Sequence, residues 1–159
     1  VLRWLLRLLV GLVAIVLLAV VAGPWLLYEF GLSKIDGRPG HAVSTAVAPE
    51  DVEALIRTLR ISRPITIDRL SPYSYIWTLA RSDGRMRDHG VRIAWRIARS
   101  HNADHLANHS FWHLSGAALT IWLTRNWTTD ELVAKAVELE KATAKARAAA
   151  AFERKQSGR

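Results

Sequence analysis

The chain has 159 residues, a formal net charge of +8 and no cysteine. Disulfides, thiol nucleophiles, cysteine-ligated metals and lipid attachment at a cysteine are excluded together, so the fold must rest on packing. A basic balance of this size draws a protein toward anionic lipid or other phosphate-bearing partners, whereas no nucleic-acid-binding motif accompanies the charge, which argues against a nucleic-acid partner.

Residues 8–28, LLVGLVAIVLLAVVAGPWLLY, carry no charge. About twenty such residues make enough helix to cross the hydrocarbon core of a bilayer, so this run is expected to be a membrane anchor. Arg3 and Arg7 precede it, and Glu29, Lys34, Asp36 and Arg38 follow it; the excess of positive charge at the front favours a cytoplasmic N-terminus. Trp4, Trp25 and Tyr28 stand near the two ends, where interfacial aromatics are found. A cleaved secretory signal, with Val20 and Ala22 before a cut at Gly23, is the alternative. Either reading sends most of the chain out of the cytoplasm. Arg3 and Arg7 account for two of the eight net charges, leaving +6 on the exported part.

Residues 29–48 contain Gly37, Pro39 and Gly40 among polar residues without period, and read as a linker. Pro49 opens a helix with Glu50 and Asp51 in its first turn, and Val52, Leu55, Ile56 and Leu59 form its apolar face. Pro64 closes it. Residues 65–68 alternate and predict either a short strand or an extended connection. Ser71-Pro72 is an N-cap with proline at N1, and Tyr73, Ile76, Trp77 and Ala80 form the expected buried stripe of the next helix. A polar turn, residues 81–85, leads to a helix marked by Val91, Ala94, Trp95 and Ala98. Ser110 to Leu123 is a strongly apolar helix, and Thr128 with Glu131 makes a capping box that starts the last one. From Ala142 the tail lacks large apolar residues except Phe152 and is expected to project or fray. The domains predicted are thus an anchor (1–28), a linker (29–48), a helical domain (49–141) and a charged, Ala-rich tail (142–159), with a mostly α fold.

Residues 110–138, SFWHLSGAALTIWLTRNWTTDELVAKAVE, and residues 79–91, LARSDGRMRDHGV, resemble two segments of the monofunctional peptidoglycan glycosyltransferases of glycosyltransferase family 51. In the late segment Ala117, Leu119, Thr120, Trp127 and Leu132 match; in the early one Asp83, His89 and Gly90 match, with one residue fewer before the glycine. The resemblance implies a small, truncated lysozyme-like helical domain behind a single transmembrane helix, placed on the periplasmic side of a bacterial inner membrane. It also implies a lipid-linked wall precursor as ligand, or a wall-synthesis protein as partner, and no cofactor.

The departures decide what activity the resemblance implies. Such enzymes use a carboxylate to deprotonate the acceptor hydroxyl. Ser82 stands at that position, and a neutral hydroxyl cannot take the proton. The second family glutamate falls on Gly116, the basic pair before it becomes Trp112-His113, and the family's Gly-Gly-Ser-Thr segment has no counterpart between Gly90 and Ser110. A non-catalytic relative is therefore expected, with Ser82, Asp83, His89 and Gly116 as a degenerate site and Trp112, His113 and Trp127 as the substrate-binding candidates. An active transferase or lytic enzyme with relocated groups is the first alternative, and an unrelated small membrane interaction protein the second. Asp83 is either a surviving base or a turn residue, and His89 either a brace of the old site or an ordinary hydrogen-bonded histidine.

Two further patterns belong to this chain alone. His101, His105, His109 and His113 are four apart, and on one helix successive rings would rotate by about 40°, so only neighbours such as His105 and His109 could share an ion. An exposed polar helix or loop explains the same spacing, with Asn102 and Asn108 favouring a break. Of the seven tryptophans, Trp77, Trp95 and Trp122 are expected in the core, and Trp4 and Trp25 at the membrane boundary.

Overall fold

A computed structural model of the chain describes residues 2–81 and 89–157. Among them are six α-helices, α1 (Leu2–Leu32), α2 (Pro49–Leu59), α3 (Pro72–Arg81), α4 (His89–His105), α5 (Trp112–Asn126) and α6 (Thr129–Ser157), with a 3-10 turn at His109–Phe111 before α5. The described residues form no strand; residues 65–68 are an extended connection, and one isolated antiparallel bridge joins Ile35 to Leu106.

α1 is the one described helix long and apolar enough to cross a membrane. It does not end at Gly23-Pro24 but continues to Leu32, and its last turns enter the core of the helical domain, where Tyr28 and Leu32 are buried. Tyr28 is therefore a core residue and not an interfacial one. Gly31 makes this possible: a Cβ there would lie 2.8 Å from Ala118 Cβ and 2.9 Å from the Leu114 carbonyl oxygen, so only glycine lets α1 and α5 approach so closely. α5 then runs back along α1, since its start meets Gly31 and Arg125, near its end, lies 5.5 Å from the Trp25 ring.

α5 is apolar nearly all round, and a helix of that kind belongs inside. It packs against α4 on one side and α1 on another, while α6 covers α4 and α2 covers α6. Ile93, Ala94, Ile97 and Ala98 of α4 meet Leu119 and Leu123 of α5 and Leu132 and Ala136 of α6 in the core. Two of its hydroxyls are satisfied by backbone groups: Thr120 Oγ1 donates to the Gly116 carbonyl at 2.7 Å, and Thr124 Oγ1 donates to the Ile121 carbonyl at 2.9 Å while accepting the Leu70 amide at 3.2 Å. That last bond ties the connection before α3 to the centre of the domain.

The caps form as their sequences predict. Ser71 Oγ accepts the Ser74 amide at 3.0 Å at the start of α3. At the start of α6, Glu131 Oε2 accepts the Thr128 amide at 2.7 Å and Thr128 Oγ1 accepts the Glu131 amide at 3.3 Å. Two ion pairs fasten α6, Arg96 to Glu140 at 2.7 Å and Lys141 to Asp51 at 2.6 Å. Beyond Ala142 the helix persists to Ser157 as an exposed projection.

Two expectations are corrected by packing. The segment 29–48 is not a free linker along its length: the Asp36 amide donates to the His105 carbonyl at 3.0 Å, and the Val43 amide to Glu138 Oε2 at 3.0 Å. The stripe of α3 expected in the core is turned outward, with Tyr73 40 %, Ile76 50 % and Trp77 59 % exposed and Ala80 also exposed; Pro72 and Tyr75 are the buried residues of this helix. Helical spacing identifies an apolar stripe without identifying what covers it.

Candidate functional site

The residues singled out from the sequence do not assemble into one cleft. Ser82 and Asp83 lie outside the described residues. His89 opens α4, and its Nε2 pairs with Ser62 Oγ at 2.8 Å, while Nδ1 is buried without a partner among the described residues. Arg92 makes a parallel connection, donating to the Arg60 carbonyl at 3.0 Å, so the start of α4 braces the segment after α2.

Gly116 is a packing position. A Cβ there would stand 2.8 and 2.9 Å from the six-membered ring of Trp95 and 3.5 Å from Asn102 Nδ2. Glycine lets the indole approach α5 closely, and a glutamate could not enter without displacing that ring. Gly116 therefore faces the α4–α5 interface and not a substrate cleft. Trp112 and His113 begin α5, whereas Trp127 caps its other end, about 22 Å away for a 15-residue helix. One ligand-binding patch cannot use both ends. Trp127 is also buried, with the His41 ring stacked on it at 4.4 Å, so it offers no open face for a sugar. Trp112 is half-buried and His113 exposed. Trp95 and Trp122 are half-buried against the core, whereas Trp77 is on the surface.

The four histidines are divided by a helix end. α4 stops at His105, and Asn108, whose side-chain oxygen accepts the Ser110 amide at 2.9 Å, caps the 3-10 turn that holds His109. His105 stacks on His101, with centroids 4.0 Å apart and planes 9° apart, while His109 meets Trp112 at 6.0 Å. His105 Nδ1 pairs with the His101 carbonyl at 3.0 Å and His101 Nε2 with the Asp36 carbonyl at 3.3 Å. Imidazole lone pairs lie in the ring plane, so two parallel stacked rings aim theirs side by side and not at one ion. No three metal-ligating side chains come together among the described residues.

A cleft of about 260 Å3 does form beside this stack, where Arg38, His101, Asp104, His105 and Lys135 stand among apolar residues that include Ile97 and Leu139. Burial lowers the His101 pKa, helped by the neighbouring His105 and Arg38, while the bond to Asp36 and the Asp104 carboxylate oppose the shift. Two permanent cations face one carboxylate, a balance that suits a small anion. The i,i+4 histidine pair was a sequence signal for this cleft; Arg38 and Lys135 were not, because they arrive from the segment after α1 and from α6.

Cations also stand over aromatic rings, two of which, Phe30 and Trp25, are on the last turns of α1. Lys34 Nζ lies 4.4 Å from the Phe30 ring centroid, Arg38 5.8 Å from Trp122, Arg125 5.5 Å from Trp25 and Arg81 4.3 Å from Trp77. Guanidinium or ammonium groups beside indole and phenyl rings combine the two side-chain types that concentrate at membrane–water boundaries. No protein-family model, curated protein or solved structure matches the chain.

Proposed function

We propose that the chain is a single-pass inner-membrane protein whose helical domain rests on the periplasmic leaflet and binds an anionic lipid headgroup without catalysing glycosyl transfer. The observation that carries this reading is a set of four cations, Lys34, Arg38, Arg81 and Arg125, each 4.3–5.8 Å from the centroid of an aromatic ring, with Lys34 over Phe30 and Arg125 beside Trp25 on the last turns of α1. Such cations neutralise lipid phosphates while the rings hold their depth. Arg3 and Arg7, in the first two turns of α1 and ahead of its uncharged run, favour a cytoplasmic N-terminus. The resemblance in residues 79–91 and 110–138 supplies the headgroup to test first, the pyrophosphate of a lipid-linked wall precursor. Gly116 beneath Trp95 speaks against a hidden catalytic carboxylate at that position, since restoring one requires breaking the α4–α5 packing.

The test uses the full chain in phosphatidylcholine nanodiscs, titrated with lipid-linked disaccharide precursor and separately with phosphatidylglycerol. Binding of either that weakens at least fivefold in Arg38→Ala with Arg125→Ala supports the reading; no preference over the neutral lipid overturns it. A reporter joined after Arg159 should be active in the periplasm, and the chain should stay with membranes through a carbonate wash. Recovery of a soluble form beginning near Gly23 would establish the cleaved-signal alternative. Polymerised glycan from labelled precursor, with an active transferase as positive control, would overturn the non-catalytic part.

A further inference from the structure

α3 carries Tyr73, Ile76, Trp77 and Ala80 at the i, i+3, i+4, i+7 positions of one face, and that face is exposed. A soluble domain would hide such a stripe or replace it with polar residues, so its surroundings decide what it is for. α3 lies against the apolar part of α1. The Tyr73 hydroxyl donates to the Val21 carbonyl, and an open apolar cleft of about 750 Å3 between the helices is lined by Ala19, Val20, Gly23, Leu27, Ile76 and Trp77, among others. On the α1 side, Ala19 and Val20 are exposed and belong to the surface that faces lipid when α1 spans a bilayer.

Depth follows from the helix rise. With Arg7 at one boundary, a hydrocarbon core of about 30 Å takes about twenty residues and ends near Leu27. Val21 is six residues short of that, about 9 Å inside the leaflet at 1.5 Å per residue. Taking Trp25, with Arg125 beside it, as the boundary instead still leaves Val21 about 6 Å inside. Whatever touches Val21 is below the headgroups. At the end of α3, Arg81 folds back over the Trp77 ring, a placement that lets its guanidinium reach the phosphate layer while the ring stays in lipid.

We infer that α3 is a membrane-seated helix whose Tyr73, Ile76, Trp77 and Ala80 face is seated among the acyl chains of the leaflet surrounding α1, with one chain occupying the α1–α3 cleft. The inference rests on α1 spanning the bilayer, as proposed above, and adds that the domain is fixed at the membrane by a second helix. The occupant is phospholipid because the exposed stripe is continuous with the lipid-facing surface of α1 and lies at the depth of hydrocarbon, where water is absent.

The chain's lack of cysteine makes single-site labelling clean. Leu17→Cys in the span, Ile76→Cys on α3 and Val43→Cys, at a 98 % exposed position, each carry an environment-sensitive nitrobenzoxadiazole label in the full chain, reconstituted into vesicles of phosphatidylcholine and phosphatidylglycerol. The melting temperature of each labelled chain is checked first; Ile76 is half-exposed, so its replacement leaves the core intact. We expect dithionite to bleach the label at 76 about tenfold more slowly than at 43, and lipid bearing a doxyl group near the headgroup end of its acyl chain to quench it at least half as strongly as the label at 17. A label at 76 as accessible to water as that at 43, with 17 protected, overturns the inference and leaves the spanning reading standing. Water access at 17 overturns both. Protection at 76 without doxyl quenching, together with disulfide cross-linking of unlabelled Ile76→Cys chains to one another, would assign the face to a second copy and also overturn the inference.

Discussion

Gly31→Ala tests whether the long apolar helix α1 is an integral part of the domain. The added Cβ would meet Ala118 Cβ at 2.8 Å, the Leu114 carbonyl oxygen at 2.9 Å and its carbon at 3.3 Å. Two of these three atoms are backbone, so no rotamer change relieves them and α1 must move away from α5. Overpacking of this kind costs about 1–3 kcal/mol, and the rigid obstacle places it toward the upper end. Alanine returns about 1 kcal/mol through its better helix propensity, so the net loss is about 1–2 kcal/mol. For a chain of this size that lowers the melting temperature by about 2–8 °C. The control is Gly23→Ala in the same helix, where an added Cβ meets nothing within 4 Å; it should cause no loss. Because α1 stays helical in detergent, the assay must report tertiary packing, and tryptophan fluorescence of the full chain in dodecyl maltoside micelles does so through Trp112 and Trp122 on α5. Gly31→Ala melting within about 1 °C of the unmodified chain would show that α1 and α5 are not in close contact and that the domain hangs from its anchor independently.

Thr128→Ala removes the hydroxyl that accepts the Glu131 amide and should cost about 1 kcal/mol in denaturant unfolding; a loss under ~0.3 kcal/mol would show that the box does not hold the start of α6. The same pair sets a pH dependence: bonds from the Thr128 amide, then from its hydroxyl, hold the Glu131 carboxyl below its ordinary value of 4.5. Its stabilising effect is therefore complete above that value and is lost as pH falls through the lowered pKa, and Glu131→Gln should flatten the acid side of the stability curve. His101 should titrate below 6.5, because burial, then His105, disfavours its charged form. Stability is accordingly highest above pH 6.5 and declines as pH falls from there to the lowered value, a slope absent in His101→Gln; an NMR titration placing His101 at or above 6.5 would contradict this. Asn102 is fully buried and donates to Ser115 Oγ at 3.0 Å and the Trp112 carbonyl at 3.3 Å. Asn102→Ala should cost about 1–3 kcal/mol, read as a lower urea midpoint at unchanged slope, and a change in slope instead would mean that the end of α4 had already unfolded.

Local signals were legible in the amino-acid sequence wherever the physics is local. The uncharged run of residues 8–28, Pro49 and Pro72 at helix starts, the Thr128–Glu131 box and the face Val52, Leu55, Ile56 and Leu59 each depend on neighbours within a turn or two, and α2, α3 and α6 begin where these residues place them. Tertiary structure decided what those helices turn toward. The stripe of α3 has the spacing of a core face, yet it lies beside the apolar length of α1, since hydrocarbon and protein interior both accept the same residues. Gly116 and Trp127 looked like remnants of a site, but one is the clearance for an indole from α4 and the other is roofed by a histidine from the segment after α1. The cleft beside the histidine stack draws Arg38, His101 and Lys135 from three distant stretches of chain, and Arg125 meets the Trp25 ring across 100 positions of sequence. The Arg125–Trp25 pairing is made by the antiparallel return of α5 along α1, and the cleft by the packing of α4, α6 and the segment after α1; both are properties of the folded chain and are written in no single segment.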